Sequence, residues 1–269
     1  MVLRHGLVPA WAVGAGLVIM TAAVPAADDG SPTAAYEEAA VSIQEAGRPV
    51  EFRYRLLRPQ PLVPDHRYPV ILFLHGAGER GVDNARQLKY LPEWLAAPEE
   101  RERRPCFVVA PQCRPDHAWV AIDWQTKQVP PLPSEPAVDL AAALAALDAV
   151  LAREPVDPRR IYLTGLSMGG YGSWELAARH PDRFAAVLPI CGGGDVATGE
   201  RLAPLPIWSF HGTADPVVPL EVSRRMVRAV ETAGGRPVCS ELPGVGHDSW
   251  TPAYRNPAVL DWLFAQRRP

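Results

Sequence analysis

The segment Gly165-Leu166-Ser167-Met168-Gly169-Gly170 sets a serine between glycines two positions before and two after it. A serine hydroxyl attacks a carbonyl carbon only when a base takes its proton, so this spacing points to acyl chemistry if an imidazole is near. Seven histidines are present. His247 lies in Gly244-Val245-Gly246-His247-Asp248, after the last β-prone run, on a turn flexible enough to bring an imidazole to a serine. His75 and His211 each precede a glycine just after an apolar run, where an imidazole shapes a turn by bonding to backbone. His66, His117 and His180 fall in connections or at a helix end, and His5 in an N-terminal leader. An acid must hold His247 in its working tautomer. Asp215, in His211-Gly212-Thr213-Ala214-Asp215-Pro216, follows the run Pro206–Phe210 and is preferred. Asp195, after Cys191-Gly192-Gly193-Gly194, is the rival, and Asp248 is too close in sequence to reach round the ring. Negative charge developing on a carbonyl oxygen needs two N–H donors. Met168, next after the serine, supplies one; Ala77 in His75-Gly76-Ala77-Gly78 supplies the other, with Gly76 or Gly78 as alternatives.

Regular elements must bring these residues together. Glu38–Gln44 and Val50–Leu57 flank Ala46-Gly47-Arg48, and the second alternates Phe52, Tyr54 and Leu56 with arginines, as a half-exposed antiparallel strand does. Pro69–Leu74 is apolar without alternation, as a strand covered on both faces would be. Phe107–Ala110, Arg160–Thr164, Ala185–Ile190, Pro206–Phe210 and Pro237–Leu242 are further strand-like runs. Between them, Leu140, Leu144, Leu147 and Leu151 mark one buried helix face, and Val222, Met226 and Val230 another. Asn256-Pro257 predicts the N-cap and first turn of a last helix through Phe264. Strands alternating with helices predict an α/β fold: a mostly parallel sheet with helices on both faces, in a single domain over 28–269.

Composition excludes several classes. Of 269 residues, 48% are hydrophobic and 21% charged, with a net charge of −3, which fits neither a disordered chain nor a nucleic-acid binder. Residues 1–27 carry a basic start, an uncharged stretch from Leu7 to Val24 and a small-residue end, the pattern of a secretory signal peptide cleaved after Ala26, with an uncleaved anchor as the alternative. The expectation is a secreted or periplasmic protein with no stable membrane insertion after cleavage. Export opens Cys106, Cys113, Cys191 and Cys239 to disulfide pairing, but their spacing selects no pairing. No Cys/His spacing resembles a zinc site, and no metal or cofactor is expected.

Taken together, Leu74-His75-Gly76-Ala77-Gly78-Glu79-Arg80-Gly81, Ala110-Pro111-Gln112-Cys113, the Ser167 segment, His211-Gly212-Thr213-Ala214-Asp215 and His247-Asp248-Ser249-Trp250 resemble the α/β-hydrolases. Within that fold the chain is similar to secreted esterases related to polyhydroxybutyrate depolymerases and feruloyl or acetylxylan esterases, and to a prolyl-oligopeptidase-like "predicted peptidase" branch. The resemblance covers most of the chain after residue 35. It implies about eight strands, no cofactor, and cleavage of small-molecule or polysaccharide-linked carboxylic esters through an acyl-enzyme. Acyl transfer from the same intermediate, peptide cleavage, or a non-catalytic binding role are the alternatives. Trp119 and Trp124, in the long connection after Pro111, and Trp250 beside His247 are candidates for a substrate pocket, while Glu79 and Arg80 are candidates to pair across the oxyanion loop. Oligomeric state is not readable from the sequence.

Overall fold

The computed structural model of the protein describes residues 32–123 and 130–269. The expected leader, 1–27, and Trp124 lie outside the described residues. Eight strands form one sheet: β1 (Tyr36–Glu45), β2 (Arg48–Leu57), β3 (Tyr68–Leu74), β4 (Phe107–Pro111), β5 (Val156–Leu166), β6 (Ala186–Ile190), β7 (Trp208–Gly212) and β8 (Val238–Leu242). Their order is β1-β2-β4-β3-β5-β6-β7-β8. The pairs β1–β2 and β2–β4 are antiparallel, and every later pair is parallel. This is the α/β-hydrolase architecture.

Among the described residues eight α-helices accompany the sheet: α1 (Leu91–Ala96), α2 (Pro98–Arg103), α3 (Val138–Arg153), α4 (Met168–Arg179), α5 (Gly199–Leu202), α6 (Leu220–Thr232), α7 (Trp250–Arg255) and α8 (Pro257–Ala265). The strand β3 explains why its sequence does not alternate. Val70, Leu72 and Leu74 enter the core layer beneath α3, α4 and α6, whereas Ile71 and Phe73 enter the layer beneath α1, α7 and α8. Successive side chains of a strand point to opposite faces, so a strand covered on both must be apolar throughout. All seven β3 residues are buried.

Several boundaries differ from the sequence expectation. The strands β1 and β2 run to the turn at Ala46-Gly47 and are longer than predicted. The strand β5 begins at Val156, since Tyr68 pairs with Val156 before the register shifts and the ladder resumes at Val70–Ile161. In α3 the buried apolar side chains are Leu140, Ala142, Ala143, Ala146, Leu147 and Val150, while Leu144 and Leu151 pack at the flank. The three alanines on the core side let that face approach the sheet. Asn256 caps α8 as predicted, its side chain accepting from the Ala258 N–H, with Pro257 in the first turn. The four cysteines are free thiols, three of them buried. Among the described residues no helix is long and apolar enough to cross a membrane.

Candidate active site

Ser167 joins β5 to α4 at φ 53°, ψ −118°, a backbone conformation that L side chains adopt only under constraint. The constraint is visible on both sides. A Cβ on Gly165 would lie 2.4 Å from the Gly169 carbonyl oxygen, and one on Gly169 would lie 1.9 Å from the Leu74 carbonyl oxygen. Only hydrogen at these positions lets the β3 end, the β5 end and the first turn of α4 meet. The Ser167 N–H donates to the Ile190 carbonyl at 2.9 Å, and its own carbonyl accepts from the Tyr171 N–H at 3.1 Å. The hydroxyl therefore stands out of the turn, 7% exposed, over the carboxyl ends of the parallel strands.

His247 follows β8 and meets that hydroxyl: its Nε2 lies 3.0 Å from Ser167 Oγ. Its Nδ1 lies 2.8 Å from Asp215 Oδ2, on the turn after β7. An acceptor at Nδ1 fixes the proton there and leaves the Nε2 lone pair facing the serine. Asp215 is in turn fully occupied. Its Oδ1 accepts from the N–H groups of Val217 and Val218 at 2.8 and 2.9 Å, and its Oδ2 lies 3.3 Å from His211 Nε2. Burial opposes ionisation of this carboxyl, but hydrogen bonds from His211, His247 and the two N–H groups overcome it and hold the pKa well below the ordinary value. His211 is itself buried between Ser223 Oγ and the Val218 carbonyl. The structure thus gathers Ser167, His247 and Asp215 into one line. It does not bring Asp195 there: that carboxylate accepts from the Ala197 and Leu132 N–H groups at 3.0 and 2.8 Å.

The second component is the loop from His75 to Gly81. The N–H groups of Ala77 and Met168 each open a helical turn, so no preceding turn takes them. The Gly76 N–H differs, because the buried Glu79 carboxylate accepts from it. That leaves the Ala77 and Gly78 N–H groups as the candidate donors from this loop, with Met168 as the candidate from the serine turn. Glu79 and Arg80 do not pair with each other. Burial pushes the Glu79 carboxyl up, with the Lys89 charge and the Gly76 and Glu79 N–H groups opposing. Arg80 instead donates through Nε to the Ala77 carbonyl and through a terminal nitrogen to the His117 carbonyl, both at 3.0 Å. Gln112 donates to the Glu79 carbonyl at 3.0 Å, and Gly81 N–H to the Cys113 carbonyl at 3.0 Å. His75 places Nδ1 2.6 Å from the Gly76 carbonyl and accepts from the Cys113 N–H through Nε2 at 2.9 Å. Burial keeps that imidazole neutral, with a pKa lowered to about 4.

The aromatic residues divide. Trp119 is 1% exposed, so it does not wall an open pocket. Its ring stands 5.1 Å edge-on to His75, and its indole N–H donates to the His75 carbonyl at 2.9 Å, which makes it a support beneath the oxyanion loop. Trp250 does adjoin the site, with its ring 5.2 Å from His247 at 90°. The sequence analysis missed Tyr90, which holds φ 64°, ψ −118° before α1 and packs 5.5 Å from Trp250. Nothing in Lys89-Tyr90-Leu91-Pro92 marks it, because its place depends on a contact across 160 positions. Behind the site, Cys191, the residue after β6, adopts φ 40°, and burial pushes its thiol up to about 12. Among the described residues, the donor atoms of Cys191, Asp215 and His247 form the group of potential metal ligands, all within 4.8 Å of one another.

Residues 44–199 match the Esterase family model, described as "Putative esterase". The "Putative esterase NocK" of Nocardia uniformis subsp. tsuyamanensis is 30% identical over 209 residues, 71% of this chain and 52% of NocK. A crystal structure of a thermostable esterase superposes with a TM-score of 0.76 at 41% identity, covering 85% of this chain and 63% of that one. The CE1 ferulic acid esterase of Anaeromyces mucronatus shares the fold, with a TM-score of 0.59 at 13% identity over 86% of this chain and 90% of its own. The chain spans about half the length of NocK, at 52%.

Proposed function

We propose, given that the chain belongs to this esterase family, that it hydrolyses carboxylic esters through an acyl-enzyme on Ser167. His247 Nε2 takes the Ser167 proton as Oγ attacks the ester carbonyl. The oxygen that becomes negative is met by the N–H groups of Ala77 and Met168. Collapse expels the alcohol, which receives the proton from His247; water then enters, loses a proton to His247 and releases the acid. Asp215 orients the imidazole and stabilises its charged form.

The observation that carries this reading is the unbroken line Ser167 Oγ–His247 Nε2 and His247 Nδ1–Asp215 Oδ2, at 3.0 and 2.8 Å. A buried carboxylate held ionised at Nδ1 of the imidazole is what a general base needs. The substrate class we assign is a small-molecule or polysaccharide-linked ester, with Trp250 and Tyr90 flanking the site, reached after export directed by residues 1–27. Support for the ester class comes from NocK and from the ferulic acid esterase that shares the fold.

The test is a panel of p-nitrophenyl esters of increasing acyl length, with feruloyl and acetylated-xylan substrates alongside. Release of acid at rates above the uncatalysed reaction is expected for at least one acyl class. Absence of turnover across the panel in a folded protein would overturn the reading.

A further inference from the structure

Cys191 has no part in the chemistry described above, yet its thiol stands behind it. The residue is anchored by its N–H, which donates to the Phe210 carbonyl at 2.8 Å, and is fully buried at the end of β6. Its sulfur, a carboxylate oxygen of Asp215 and a ring nitrogen of His247 lie within 4.8 Å of one another. A second observation marks the same place. The Ser249 hydroxyl, also fully buried, has no nitrogen or oxygen partner and lies against the Cys191 thiol. One sulfur, one imidazole nitrogen and one carboxylate oxygen thus gather within 4.8 Å, with the Ser249 hydroxyl against the sulfur.

We propose that Cys191, Asp215 and His247 form an inhibitory site for a zinc-class divalent cation, with the Ser249 hydroxyl beside it. A thiolate, an imidazole and a carboxylate are the donor types that zinc and cadmium accept, and they disfavour magnesium and calcium. Tetrahedral zinc sets its ligand atoms about 3.4–3.8 Å apart. Closing the site therefore needs the sulfur to draw in and the close His247–Asp215 pair to open slightly. The backbone of the His247 turn is held, since the Val245 carbonyl accepts from the Ala214 N–H at 3.0 Å and the Gly244 N–H donates to Thr213 Oγ1 at 2.9 Å, so the adjustment falls to the Cys191 and His247 side chains. The consequence for catalysis follows from the tautomer. A cation on Nδ1 moves the imidazole proton to Nε2, where the Ser167 proton must be received. One proton leaves, from the Cys191 thiol, and the base is switched off without any covalent change. The loss of activity rests on the function proposed above; the binding itself does not.

The experiment titrates the full chain with Zn2+ and with Cd2+. It follows p-nitrophenyl acetate turnover and, separately, the ultraviolet thiolate-to-cadmium absorption. Expected are one Cd2+ per chain, inhibition that tracks its binding, and full recovery with EDTA. Cys191→Ser should keep metal-free turnover and weaken the metal's inhibition at least about tenfold, as loss of a ligand exceeds the 10–100-fold typical of outer partners. Cys239→Ala should leave the absorption unchanged. If Cys191→Ser does not fold, Asp215→Asn and His247→Ala serve in its place, since both should weaken Cd2+ binding at least about tenfold whether or not they turn over substrate. Equal metal sensitivity of wild type and Cys191→Ser, or a cadmium band that vanishes with Cys239→Ala instead, would overturn the proposal. A chain that binds Cd2+ at Cys191 but hydrolyses no ester would refute the esterase reading and leave the metal site standing.

Discussion

The serine turn and the proposed oxyanion loop both belong to the candidate site, but they are positioned by different means. Ser167 is placed by backbone against backbone: Gly165 and Gly169 admit no side chain, and the turn is clamped between β5 and α4. The loop from His75 to Gly81 is placed by side-chain hydrogen bonds to a distant segment, with its own Arg80 and His75 and the facing Gln112 stapling it to residues 112–117. The first device tolerates no change of shape and tunes nothing. The second spreads its hold over several hydrogen bonds, each removable at moderate cost.

That contrast orders what substitutions should do. Ser167→Ala should cost the most, about 10⁵–10⁶ in kcat with the fold intact, since the nucleophile has no substitute; steady-state kinetics measure it. Gly169→Ala should strike the fold itself, because its Cβ would overlap the Leu74 carbonyl oxygen at 1.9 Å. A loss of about 3 kcal/mol or more is expected in urea unfolding, and a soluble variant of wild-type stability would break the contrast. Arg80→Ala should loosen only the loop. It should lower kcat about 10–100-fold, less than or similar to deletion of one oxyanion donor, with little change in KM. If it matched Ser167→Ala instead, the loop would not be the softer partner.

The loop's buried imidazole adds a pH dependence of stability. The neutral, buried His75 has its folded-state pKa lowered to about 4 against an ordinary 6.5. Between those values the unfolded chain binds a proton that the folded chain does not. His75 therefore makes stability fall as pH drops from 6.5 toward 4, by at most about 1.4 kcal/mol per pH unit. His75→Gln should flatten that part of the profile in denaturant titrations at successive pH values. Asp215 acts in the same direction at lower pH. Its depressed folded-state pKa stabilises the fold above the ordinary 3.8 and is lost as pH falls through the folded value.

Sequence legibility follows the same division. The serine turn depends on residue types within a few positions, so Gly165, Ser167 and Gly169 announce it. Asp215 and His247 could be chosen because each follows a strand-like run in a sheet whose parallel order the alternating elements had already implied. The sheet and both its covered faces were readable for that reason. The staples were not. Arg80 looked like the partner of Glu79, its neighbour, but binds carbonyls of Ala77 and His117, the latter 37 positions away. Trp119 read as a pocket wall because an aromatic in a long loop carries no sign of which way it faces; it faces inward, under His75. Tyr90 and Cys191 owe their places to backbone conformations that no local motif encodes.

A fluorophosphonate, whose phosphorus takes the place of an ester carbonyl carbon, puts the proposed activation of Ser167 to the sharpest trial. Intact-mass and peptide-mass measurements should find one adduct per chain, on the tryptic peptide holding Ser167, formed far more slowly in His247→Ala and not at all in Ser167→Ala. Adduct formation that persists undiminished in Ser167→Ala, or a folded wild-type chain that never reacts, would contradict it.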